Sequence, residues 1–146
     1  MALLFLLKYS QPCLANLLRE LSKVLDCLTE AAWKELHQLN KFVLDTKEYG
    51  LKVEPKIEEF DKSWTITVFS DSDYAADNNT GISVTSFCIF LLGIPIVWKS
   101  KSQKNVTLLL SKAEFVVLLE AIKEIKFVVQ VLKLIRVKVN CNYCMG

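Results

Sequence analysis

Ile66-Thr67-Val68-Phe69-Ser70-Asp71-Ser72-Asp73-Tyr74-Ala75-Ala76-Asp77 is an apolar strand pattern that runs straight into three carboxylates. Side chains alternate along a strand, so Ile66, Val68 and Ser70 share one face while Thr67, Phe69 and Asp71 share the other. This spacing predicts Asp71 as an inward carboxylate on the face of Phe69, at a strand end where a divalent cation has access. Taken alone, Asp and Ser after a strand also read as a turn, because their side chains bond nearby backbone. The segments around this stretch change the balance.

Downstream, Asn78-Asn79-Thr80-Gly81 supplies a connection, and Ile82 to Leu92 is rich in β-branched and aromatic residues. Leu92-Gly93 then turns into a third strand, Ile94 to Lys99. Three strands with short connections predict an antiparallel meander. From Ser111 to Ile135 the apolar positions follow a helical period and cover more than one narrow stripe, so the helix is expected to be buried on more than one side. Ser111 with Glu114 has the spacing of a capping box. Val137 and Val139 hint at a fourth strand.

Upstream, three helices are expected: residues 2 to 9, ending before Gln11-Pro12; residues 13 to 27; and a third opened by Thr29-Glu30. Tyr49 to Val53 reads as a short strand, and the polar stretch Pro55 to Lys62 as a boundary. The expected organisation is a helical segment at 1–54, a sheet-and-helix domain at 55–140 and a divergent tail at 141–146.

Composition narrows the function classes. The 146 residues are 52% hydrophobic with four glycines and three prolines, which excludes a disordered chain. The net charge of +2 hides a division: residues 97–140 hold nine Lys or Arg against three Glu, a local +6 that leaves −4 elsewhere. A polyanion would therefore favour the second half. The five cysteines are irregularly spaced, as suits reduced intracellular thiols. Cys141-Asn142-Tyr143-Cys144 is a CxxC, but His37 is the only histidine and no second pair completes a zinc set. No run approaches the roughly 20 apolar residues of a membrane span, and Ala2 to Leu7 lacks the flanks of a signal core. The expected location is intracellular, with no membrane partner.

The ordered motifs carry a family resemblance. Phe69-Ser70-Asp71-Ser72-Asp73-Tyr74-Ala75 resembles the "YSDADWAG" motif of the RNase H domain in copia-type LTR retrotransposon Pol polyproteins. Ile82 to Phe87 is similar to the "STSGY" strand, and Ile96 to Lys104 to "ISWKSKKQ". Ser111-Lys112-Ala113-Glu114-Phe115-Val116-Val117-Leu118-Leu119-Glu120-Ala121 resembles "STEAEYIALSEA" in order and spacing. Leu6 to Pro12 is similar to the "TRPD" region, Leu21-Ser22 to the "LS" after it, and Trp33 through Leu51 to the "W…L…YGL" connection that precedes RNase H. The likeness covers residues 4 to 139.

The resemblance implies an α/β, RNase H-like fold: an antiparallel three-stranded meander plus a long helix, incomplete at its C-terminal part, after a small helical module. It implies that Asp71 is the first metal-binding carboxylate and Glu114 the second, in Mg²⁺- or Mn²⁺-dependent cleavage of the RNA strand of an RNA–DNA hybrid. In-line hydrolysis of that kind uses two cations about 4 Å apart, one activating water and one stabilising the leaving oxygen, and hard cations take oxygen ligands. Lys99, Lys101 and Lys104 are expected near the edge of strand three, where they would contact hybrid phosphates.

Departures count against present activity. In the family a fourth strand ends in a third catalytic Asp within a "DN" motif, and a "KH" region supplies a further carboxylate. Here Val137 to Asn140 gives way to Cys141 to Gly146, so half of the metal cage is expected to be missing. Ser86 stands in place of a Gly, Leu109 and Leu110 in place of serines, and Cys13 in place of an Asp. Val117 and Leu119 occupy small or polar positions.

Plainer readings stay open beside these. Glu114 also suits a helix start, and Asp73 and Asp77 suit a turn. The three lysines also suit a solvated edge, and Trp33, Trp64 and Trp98 read as core anchors. The expectation is a truncated RNase H-like domain with weak or no cleavage. The alternative is a non-catalytic nucleic-acid-binding or self-associating remnant, pairing through the uncovered edge of strand one and apolar surface nearby.

Overall fold

The computed structural model describes residues 2–24, 26, 29–56, 63–76, 80–104, 106 and 109–145. The expectations for Leu25, Cys27, Leu28, Asp77, Asn78, Asn79 and residues 57–62 lie outside the described residues. The chain divides into two units, Met1–Lys52 and Val53–Gly146.

In the first unit α1 spans Ala2–Tyr9. It ends where Ser10 turns its N–H and its Oγ onto the Leu6 carbonyl. Gln11, ahead of Pro12, is held out of the helical region at φ −128° and ψ 79°. A single 3-10 turn, Pro12–Leu14, leads into α2, Ala15–Lys23. The expected second helix over 13–27 is thus shorter at both ends, and its last turn closes with the Val24 N–H on the Leu21 carbonyl. Helix α3, Glu30–Asp45, starts at Thr29, whose Oγ1 accepts from the Ala32 N–H at 3.2 Å. Leu14, Leu18, Leu21, Ala32 and Leu39 form the core of this unit.

Two expectations fail here. Tyr49 to Val53 is not a strand: residues 49–56 carry no regular structure, and Tyr49 is 74% exposed. Its strand-forming residues have no neighbouring strand to pair with among the described residues. Trp33 is no core anchor either, being exposed with its ring edge against His37 at 5.2 Å.

The second unit is a mixed four-stranded sheet with one long helix. Strands β1 (Ser63–Asp73), β2 (Val84–Leu91) and β3 (Ile94–Ser102) form the expected antiparallel meander. The β2–β3 turn is two residues, Leu92 at φ 52° and Gly93 at φ 80°, the positive-φ pair that matches the twist of a hairpin. Helix α4, Leu110–Leu134, then returns the chain to β4, Lys138–Met145, which pairs parallel to β1. The sheet order is β3-β2-β1-β4.

Strand β4 corrects the expectation that strand four is lost and the edge of β1 left bare. Residues 141 to 145 continue the strand, in register from Ser63↔Lys138 to Ser70↔Met145. The reason is a period-two pattern: Val139, Cys141 and Tyr143 lie opposite Trp64, Ile66 and Val68, and Val139 and Tyr143 pack against the main core. The edge of β1 is therefore covered.

Ile66, Val68, Phe87 and Ile89 from the sheet meet Ala121 and Leu132 of α4 in that core. The buried row Ala113, Val117 and Ala121, four residues apart, brings a slim helix face down onto the strands. Ser111 is not the cap of α4. The cap is Leu109, in extended conformation with no side-chain bond, and its carbonyl accepts from both Lys112 and Ala113. Ser111 lies inside the first turn, so the capping box is not formed. At the other end Val137 N–H bonds the Leu132 carbonyl and Arg136 N–H that of Lys133, with Arg136 at φ 60°, a left-handed helix terminator. No described helix is long and apolar enough to cross a membrane.

Candidate functional site

The acidic end of β1 sits at the rim of the sheet. Along β1 the buried positions are Ile66, Val68 and Ser70, so this face lies under α4. Phe69 is 51% exposed and Asp71 is exposed as well. Asp71 does follow the face of Phe69, but that face is the uncovered one, which corrects the inward carboxylate. Which face of a strand is covered depends on where the helix lands, and alternation alone does not fix it. On this face Phe69 packs edge-on against Phe90 at 5.6 Å, and Asp71 lies opposite Ser86.

Glu114 is exposed in the second turn of α4, the helix that covers the opposite face. Among the described residues the two carboxylates share no partner. Among the described residues no group of three or more His, Cys, Asp or Glu is placed to hold a metal ion. Strand β4 carries no carboxylate from Lys138 to Met145. A two-cation cage needs several oxygen donors converging on one point. The described donors do not fit it.

The expected phosphate-binding lysines are tied down. Lys101 Nζ lies 2.6 Å from Glu120 Oε1 and Lys99 Nζ 3.6 Å from Glu124 Oε1, so β3 clasps the flank of α4. Both pairs are partly exposed, worth at most about 1 kcal/mol each. Lys104 is exposed just past the strand. The partners of Lys99 and Lys101 lie 25 and 19 residues downstream, a juxtaposition created only by the fold.

A buried polar cluster escaped the sequence reading. Gln103, only 6% exposed, donates from Nε2 to Thr85 Oγ1 at 3.3 Å and to the Ala113 carbonyl at 3.2 Å. Its own N–H bonds the Ser83 carbonyl. Nearby on β1, opposite Thr85, the buried Ser72 Oγ has no hydrogen-bond partner among the described residues. The signal available was a polar residue, Gln103, following a basic strand; nothing local marks it as a clamp on the helix start. Ser70 Oγ and Tyr143 Oη, 2.8 Å apart, form a second polar link.

The CxxC is resolved by geometry. Cys141 and Cys144 are three residues apart on one strand, hence on opposite faces and about 10 Å apart. They can neither chelate one ion together nor form a disulfide with each other. Cys88, on β2, is half-buried, and burial pushes its thiol pKa up.

With this geometry in hand, comparison with known proteins gives three informative likenesses. The chain is 25% identical over 109 residues to the retrovirus-related Pol polyprotein from transposon RE2 of Arabidopsis thaliana, covering 75% of the chain and 7% of that protein. It is 24% identical, over the same shares, to the corresponding polyprotein from transposon RE1. These likenesses support a retrotransposon Pol-derived region. The chain spans a small fraction of those polyproteins. It is also 28% identical over 125 residues to secreted RxLR effector protein 161 of Plasmopara viticola, covering 84% of the chain and 83% of that protein. No protein-family model matches the chain, and no solved structure does.

Proposed function

We propose that residues 63–145 are an RNase H-like domain descended from a copia-type retrotransposon Pol polyprotein, whose ancestral reaction is Mg²⁺-dependent cleavage of RNA in RNA–DNA hybrids. The observation that carries the reading is the sheet itself. An antiparallel meander with an acidic first-strand end is followed by a crossover helix and a parallel strand beside β1, in order β3-β2-β1-β4. The likeness to two Pol polyproteins supports the same descent.

In this chain cleavage is expected to be weak or absent, because Asp71 and Glu114 are not joined by further carboxylates among the described residues. Any hybrid contact would rest on Lys104 and on lysines released from their glutamates. A labelled RNA–DNA hybrid, incubated with the purified chain and Mg²⁺ or Mn²⁺ beside an Asp71→Asn control, tests this. No cleavage beyond the control is expected. Cleavage abolished by the substitution would show that a metal site assembles around Asp71 and would overturn the inactive reading.

A further inference from the structure

Helix α4 points one row of side chains away from the sheet. Opposite the buried Ala113, Val117, Ala121 and Leu132, helical spacing places Lys112, Phe115, Leu119, Lys123, Lys126 and Lys133 on one ridge, and all six are exposed. The ridge carries every lysine of the helix and no carboxylate. Two of the three glutamates of α4, Glu120 and Glu124, lie on its β3 flank against Lys101 and Lys99, and the third, Glu114, sits near the helix start. The four ridge lysines have no ion-pair partner among the described residues. They extend over about 32 Å of helix. An apolar element laid over them would bury unpaired ammonium groups at high cost, so a partner that covers this ridge must be anionic.

We propose that the ridge lies against an anionic lipid surface, with α4 parallel to the membrane plane. Charge complementarity selects an anion, and the apolar neighbours select its kind. Phe115, Leu119, Phe127 and Leu134 are exposed among and beside the lysines. In the headgroup region each buries its apolar body independently, while the lysines reach the phosphates and carboxylates around it. A nucleic-acid strand matches these side chains poorly. The two phenylalanines stand about 18 Å apart along the helix, too far to stack neighbouring bases, and leucine offers no ring. The helix rests on the surface, since no described helix is long and apolar enough to cross a membrane. The proposal replaces the expectation of no membrane partner, and it does not depend on the RNase H-like reading.

Sedimentation of the full chain with vesicles tests it, comparing phosphatidylcholine alone with phosphatidylcholine mixed with phosphatidylserine. Binding to the anionic vesicles only is expected, falling as salt is raised. Lys123→Gln/Lys126→Gln should weaken it by about tenfold or more. Phe115→Ser should weaken it too, while leaving its salt dependence unchanged. All three positions are exposed, so circular dichroism of both variants should match wild type. If the double variant folds poorly, Lys112→Gln/Lys133→Gln carries the same expectation. No binding to anionic vesicles at low salt, equal binding to neutral vesicles, or binding that the lysine variants leave intact would each overturn the proposal. So would retention of a single-stranded RNA oligonucleotide, lost in the same lysine variants, without vesicle binding.

Discussion

Ser70 and Tyr143, 73 residues apart in sequence, join their hydroxyls at 2.8 Å and so lock β4 to β1. Ser70 is 8% exposed and Tyr143 half-buried over the core. Tyr143→Phe keeps the ring but leaves Ser70 Oγ without this partner, and about 1 kcal/mol of stability should be lost. Urea unfolding checks this, and a Ser70→Ala/Tyr143→Phe double-mutant cycle should recover part of the loss.

Gln103 holds the start of α4 where no side chain caps it. Its amide serves Thr85 and the Ala113 carbonyl together, so Gln103→Ala removes two buried bonds and leaves a void under the helix. A loss of about 2 to 3 kcal/mol is expected from thermal or urea unfolding. Thr85→Val, which removes one acceptor and keeps the shape, should cost less.

Arg136 ends α4 in the left-handed region, at φ 60°. Glycine occupies that conformation without a Cβ penalty, so Arg136→Gly should raise stability by about 1 kcal/mol. A fall in the urea midpoint would contradict the terminator reading.

Cys88 has its thiol pKa raised above the ordinary 9.0 by burial. The folded state therefore holds this proton to higher pH than the unfolded state does. The contribution is fully present below pH 9.0 and is lost as pH rises through the raised folded value. Wild type should lose stability relative to Cys88→Val as pH rises past 9.0, and Cys88 should be alkylated more slowly than the exposed Cys141 and Cys144.

The meander and the long helix were legible because their signals are local: β-branched runs, the turn Leu92-Gly93 and a 3.6 period from Phe115 to Leu132. What the sequence hid depends on contacts far along the chain. The covered face of β1 is decided by α4, which turns Asp71 outward with Phe69. The lysines of β3 look available until Glu120 and Glu124 are brought beside them. The last strand was obscured by divergence from the family's motif at Cys141, although its own alternation, Val139, Cys141 and Tyr143, was there to be read. Leu109 caps α4 with backbone alone, so Ser111 and Glu114 mimicked a start two residues late.

The parallel pairing of β4 with β1 is the feature on which the proposed RNase H-like reading of the sheet rests. The most direct measurement is cross-strand nuclear Overhauser contacts in isotopically labelled protein, supported by amide exchange. Contacts between Val68 and Tyr143 and between Trp64 and Val139, progressing in the same direction along both strands, with protected amides from Val139 to Cys144, are the expected result. Unprotected amides in that segment, or contacts progressing in opposite directions, would contradict the account.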